Sequence, residues 1–203
     1  MKKRFTQLMA TLAVALLCHS QVNAQIGRHD TIADSSIVGP GGGAFNALLT
    51  QPEMTLNNNG DVVFRAGESG QAAGLFHFDS SSGTYTAIAR VGDSVDGDGT
   101  ISVFGRARMN DHGDVAFRTT LSGTSGGGAN DSTLFTWNAS DGLSLKLREG
   151  VTSIDGTSTV GQIADSSLQA LFNNGEIGFN VDLIGAPAAV SYTHLTLPTT
   201  SRV

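Results

Sequence analysis

Leu56-Asn57-Asn58-Asn59-Gly60-Asp61-Val62-Val63-Phe64 is the stretch that decides how this chain folds. It returns as Met109-Asn110-Asp111-His112-Gly113-Asp114-Val115-Ala116-Phe117, and more loosely as Leu171-Phe172-Asn173-Asn174-Gly175-Glu176-Ile177-Gly178-Phe179. Phe64, Phe117 and Phe179 are 53 and 62 residues apart. Recurrence at this period marks propeller-like or stacked β units. Gly60, Gly113 and Gly175 are free to take positive φ, so each phrase opens with a tight turn. The Asn and Asp residues before them bond nearby backbone and tolerate left-handed geometry. The strand that follows alternates. Val62, Phe64 and Ala66 share one face, as do Val115, Phe117, Thr119 and Leu121, and then Ile177, Phe179, Val181 and Leu183. Arg65, Arg118 and Asn180 point the other way, which predicts half-buried strands.

Outward from the phrase, Leu75-Phe76-His77-Phe78 corresponds to Leu134-Phe135-Thr136-Trp137. Polar turns follow at Asp79–Gly83 and Asn138–Gly142, then alternating strands at Tyr85–Val91 and Leu143–Leu147. Gly-rich loops at Gly92–Gly99 and Gly150–Gly156 close these units, and Val38–Phe45 reads as the end of an earlier, degenerate unit. With strands before each Asn turn (Glu53–Leu56, Arg106–Met109, Leu168–Leu171), every unit offers about four strands, as a propeller blade does. The expected fold is all-β: a β-propeller-like array of roughly four-stranded repeats near 46–104, 105–167 and, in part, 168–189. A β-sandwich or β-solenoid is the alternative.

Residues 1–24 read as a Sec-type signal peptide. Lys2, Lys3 and Arg4 form a positive start, Leu8–Cys18 an apolar stretch, and Val22-Asn23-Ala24 a cleavage site before Gln25. The apolar run is shorter than the ~20 residues of a spanning helix. Cys18 is the only cysteine, so residues 25–189 have neither disulfide nor thiolate metal site. The segment Val190–Val203 resembles translated sequencing-adapter DNA, which predicts an array cut short at Ala189. Without leader and tail, eight basic residues face eighteen acidic ones, about −10. That charge excludes nucleic acid as a partner and disfavours anionic membranes.

The phrase resembles the Asn-x-x-Gly-x-Val-Ala-Phe tandem repeat of exported bacterial proteins with varied C-terminal anchors, a group whose function is not established. Gly39–Leu183 carry the resemblance. Asn110, Gly113, Val115, Ala116 and Phe117 fit in full, and Asn57, Gly60, Val62 and Phe64 fit with Val63 in the alanine place. The third copy keeps Gly175 and Phe179 but has Phe172 for the leading Asn and Gly178 for Ala, so its turn is expected to differ. The resemblance implies a repeat architecture with further repeats and an anchor lost with the C-terminus, and carries no catalytic residue; the Sec-type leader implies an extracellular, cell-surface or periplasmic location.

Candidate sites are few. Asp93, Asp96 and Asp98 in a Gly-rich loop are the one metal candidate, for Ca²⁺, although EF-hand spacing is not met and a solvated loop is the weightier reading. His29, His77 and His112 form no ligand pair such as His-x-x-x-His. Asp61, Asp114 and Glu176 recur after each turn glycine, as turn chemistry would need and acid–base catalysis would not. Phe76, Phe78, Phe135 and Trp137 suit a core between sheets better than a sugar platform. The expected function is a secreted or surface-displayed, non-catalytic binding or scaffolding protein, its partner an extracellular polysaccharide or surface protein. A propeller-type hydrolase or lyase with its site mostly outside this chain is the alternative.

Overall fold

The computed structural model of the protein describes residues 31–48, 54–154, 156–185 and 191–192. The leader, His29, Glu53, Asp155 and all of the adapter-like tail except Ser191 and Tyr192 lie outside them. The chain divides into two units, Met1–Ile32 and Ala33–Val203, and every strand below belongs to the second. Among the described residues no helix is long and apolar enough to cross a membrane.

The fold is all-β and antiparallel throughout. In the first sheet β1 (Phe45–Leu48) and β2 (Thr55–Leu56) both pair with β3 (Val62–Glu68), followed by β4 (Gln71–Asp79) and β5 (Thr84–Arg90). The second sheet is a four-stranded meander of β6 (Thr100–Met109), β7 (Val115–Ser122), β8 (Ser132–Asn138) and β9 (Gly142–Arg148). In the third region β10 (Thr159–Val160), β11 (Leu168–Leu171), β12 (Ile177–Phe179), β13 (Val181–Ile184) and β14 (Ser191–Tyr192) pair as β10–β13–β14 and β11–β12. Thus Ser191 and Tyr192, assigned from sequence to the adapter-like tail, form a strand against Asp182 and Val181.

The first two sheets share a register. Phe64 lies opposite Phe76 and Phe117 opposite Phe135, with ring centroids 5.7 Å and 5.6 Å apart and the rings stacked. They differ in the first strand. β6 runs along all of β7 with a register shift between Phe104 and Ala107. β1 and β2 divide the same work, β1 pairing with Ala66–Glu68 and β2 with Val62 and Val63. β10 and β11 divide it again, with a 3-10 turn at Asp165–Ser167 between them.

Two sequence-based expectations need correction here. Val38–Phe45 is not the end of an earlier unit. Phe45 N–H donates to Ile37 O, Ile101 N–H to Asp93 O and Val160 N–H to Thr152 O, the same loop-closing bond three times. Each Gly-rich loop therefore leads into the first strand of a sheet, and β6 crosses the expected division at 104/105. Nor are the central strands half-buried. Val62, Val63 and Phe64 are all buried, as are Val115, Ala116 and Phe117. The cause is face-to-face packing of sheets. Val63 and Leu75 of the first sheet meet Val115, Phe117, Phe135 and Trp137 of the second. Ala116, Leu134 and Leu147, on the opposite face of the second sheet, meet Ile177, Phe179 and Val181. One face of each strand carries the phenylalanine and the other a smaller residue that receives the next sheet, which accounts for the Val-Ala-Phe run. A buried phenylalanine at such a position contributes about 2–3 kcal/mol.

Candidate functional site

The three turns have one backbone geometry. Asn57 N–H donates to Asp61 O and Gly60 N–H to Asn57 O; Asn110 with Asp114 and Gly113, and Phe172 with Glu176 and Gly175, repeat both bonds. The glycines have φ of +87°, +79° and +83°. This is the pattern of a three-residue hairpin loop ending in a left-handed glycine. The third turn therefore keeps its backbone shape without the leading Asn, contrary to the sequence expectation. What it loses is side-chain chemistry. Asn57 Oδ1 accepts from Asn59 N–H and Asp61 N–H, and Asn110 Oδ1 from His112 N–H and Asp114 N–H. In the third turn Asn174 Oδ1 accepts from Glu176 N–H instead.

The same asparagines tie consecutive units together. Asn57 Nδ2 donates to Asp61 Oδ2 at 2.8 Å and to Asn110 O at 3.2 Å. Asn110 Nδ2 donates to Asp114 Oδ2 at 2.9 Å and to Phe172 O at 3.1 Å. Asp111 is the hub of an outer row. Its carboxylate accepts from Asn58 N–H, Asn58 Nδ2 and Asn173 Nδ2, and its own N–H donates to Asn173 Oδ1. These bonds hold the Asp111 carboxyl below the ordinary value, the Asn58 N–H contributing most. Arginines reach forward too. The Arg65 guanidinium lies 5.9 Å from the Phe104 ring centroid, Arg108 Nε donates to Gln169 O, and Arg118 Nε donates to Ile163 O.

Against the turn end of the first two sheets lies a cleft of about 580 Å³, walled by Asp61, His77, Asp79, His112, Asp114 and Trp137 among others. β4 supplies His77 opposite Val63, and β8 supplies Trp137 opposite Val115. Their ring centroids are 5.2 Å apart. His77 is 9 % exposed, and its Nε2 is buried without a hydrogen-bond partner. That nitrogen faces the second turn: a Cβ on Gly113 would stand 3.6 Å from it and 4.0 Å from Asp61 Oδ2. Burial lowers the His77 pKa, outweighing the opposing pull of Asp61 and Asp79, so the ring is neutral at neutral pH. Burial alone would raise the Asp61 carboxyl, but bonds from Ser80 N–H, Asn57 and the Ser80 hydroxyl outweigh it and hold the group low. Asp79, bonded by Ser81 and Ser82, is held at about 2. Sequence reasoning set His77 aside as a strand-face residue. Its one legible signal was a histidine at the position where the second unit has Thr136, beside the chain's single tryptophan in the fold.

The calcium candidates do not converge. Asp98 accepts from Arg148 Nη2 at 2.8 Å, Ser125 N–H at 2.7 Å and Asn130 Nδ2 at 3.2 Å. The Ser125 N–H does most to keep its carboxyl below the ordinary value. Asp93 Oδ2 instead accepts from Arg90 N–H, and Asp96 sits at φ +47° at the tip of the loop. Among the described residues no three His, Cys, Asp or Glu side chains group so as to hold a metal ion. Phe76, Phe135 and Trp137 are core residues, Trp137 being 6 % exposed and also lining the cleft. Phe78 is half-buried against Tyr85.

Comparison with curated proteins finds no match, and comparison with solved structures finds none. Residues 17–194 match a family of unknown function (DUF7453), and the chain belongs to that family.

Proposed function

We propose that this is an exported, non-catalytic binding or scaffolding protein of tandem β units, acting outside the cell, at its surface or in the periplasm. The observation that carries the reading is the Asn57–Asn110–Phe172 ladder. The polar residues that recur from unit to unit are spent on joining one sheet to the next, which is what a scaffold requires. The carboxylates after the turn glycines fit this: Asp61 and Asp114 each accept from the asparagine of their own turn. The reading as an exported repeat protein rests on the leader pattern of residues 1–24 and on the three copies of the turn phrase. An acidic, lysine-poor surface suits an extracellular polysaccharide or another surface protein as partner and argues against nucleic acid.

The test is co-sedimentation of the chain with insoluble polysaccharides, alongside an assay for new reducing ends. The expected result is saturable retention with no release of soluble sugar. Steady release of sugar would instead establish the hydrolase or lyase alternative. Export is checked separately by N-terminal sequencing of secreted material, expected to begin at Gln25.

A further inference from the structure

The cleft between the first two sheets differs from the rest of the ladder because its chemistry does not recur. The ten residues lining it include Asp61, Asp79 and Asp114 and no lysine or arginine. Two of its neutral side chains are occupied as donors. Asn138 Nδ2 donates to Asp141, and the Ser140 hydroxyl donates to Asn138 Oδ1. The lining is therefore rich in charged acceptors, beside which stand the ring N–H groups of His112 and Trp137. Carboxylates that already hold neutral donors remain charged and can accept further bonds, since each oxygen carries two lone pairs. His77 adds an independent observation: a side chain more than nine-tenths buried, neutral, with Nε2 unpartnered and directed at the Gly113 wall. A buried polar atom left without a partner is costly and calls for a ligand or other explanation. Trp137 lines the cleft beside it.

We infer that this cleft is a binding site for a small organic cation bearing an ammonium group. Such a ligand brings the positive charge and charged donors that three carboxylates call for, and an indole beside carboxylates is a favourable setting for it. A volume of about 580 Å³ falls within the range of small-molecule pockets. A neutral sugar fits less well, because it brings no charge to offset three carboxylates in a lining without lysine or arginine. The inference rests on reading the array as a binding protein and names the ligand class of one site in it.

Trp137 is the chain's only tryptophan, so its emission reports on this cleft alone. The experiment titrates the full chain with putrescine. Controls are 1,4-butanediol, methyl glucoside, and potassium chloride at matched ionic strength. The expected result is a saturable change in Trp137 emission with putrescine and none with the controls. Asp79→Asn, which keeps an oxygen for the Ser81 and Ser82 bonds, should weaken it about tenfold, as the loss of one charged hydrogen bond would. His77→Phe, checked for folding by far-UV circular dichroism, should weaken it as well. An equal response to potassium chloride or butanediol, or an unchanged midpoint in folded Asp79→Asn, would overturn the cation site. A saturable response to methyl glucoside alone would overturn the cation but leave a binding protein. Failure of every probe overturns the site, while polysaccharide retention, measured separately, decides the wider reading.

Discussion

The side-chain amide of Asn57 donates to the main-chain oxygen of Asn110, 53 residues further along the chain, while also donating to the Asp61 carboxylate of its own turn. Asn110 does the same toward Phe172 and Asp114. One residue thus closes a turn and fixes its distance to the next unit. Because Asn110 is buried, removing its amide leaves the His112 and Asp114 N–H groups without their acceptor and takes one donor each from Phe172 O and Asp114 Oδ2. Asn110→Ala should destabilise the protein by about 2–3 kcal/mol, measured by urea denaturation. Asn58→Ala, at an exposed position in the outer row, should cost only about 0.5 kcal/mol. Equal costs for the two would show that the inner row has no special role.

Phe172 accepts from Asn110 but has no side-chain amide with which to bond its own turn. Its ring is 45 % exposed. Phe172→Asn should therefore add an acceptor for Asn174 N–H, and a second one for Glu176 N–H beside Asn174 Oδ1, while giving up little burial. The backbone already has the required geometry, so the expected outcome is a gain of about 0.5–1 kcal/mol. A loss of more than about 1 kcal/mol in the same urea assay would show that the ring is used for packing.

Calcium should leave the protein's melting temperature unchanged. Asp98 is committed to Arg148, whose guanidinium is also bonded to Asn130 O and Asp98 O. Asp93 is turned back on Arg90 N–H. A specific calcium site held at ten times its dissociation constant would add about 1.4 kcal/mol. Thermal melts with millimolar calcium and with a chelator should coincide. A clear rise with calcium, absent with magnesium, would restore the loop as a site.

Much of the scaffold was legible in the sequence because it rests on local rules. Gly60, Gly113 and Gly175 announced the turns, and alternation around Phe64, Phe117 and Phe179 gave the strand phase. Burial of the second face was not legible. Val63 and Ala116 are small enough to read as tolerated outward residues, and only the approach of the next sheet shows that they are core. The ladder was hidden for a different reason: its acceptors are main-chain oxygens, which leave no mark on residue identity. His77 was set aside because its environment comes from Asp61, Gly113 and Trp137, which no local pattern connects.

His77 also sets how stability responds to acid. Burial depresses its pKa in the folded chain, against Asp61 and Asp79, with Asp114 and the exposed His112 in the same cleft wall. For a base whose folded pKa is lowered, the unfolded chain takes up a proton first. Stability should therefore begin to fall as pH drops below about 6.5, the ordinary imidazole value. The carboxylates act later and separately. Asp61, Asp79, Asp98 and Asp111 all have lowered folded pKa values, so their contribution is present above the ordinary carboxylate value and is lost as pH falls from about 4, reaching about 2 for Asp79. Urea midpoints followed through Trp137 emission should thus decline in two stages, one that begins as pH drops below about 6.5 and a second below about pH 4. His77→Gln removes the titrating group and should erase the first stage while leaving the second. A wild-type midpoint that is flat from pH 8 to pH 5 would mean that the His77 ring is not held neutral by burial.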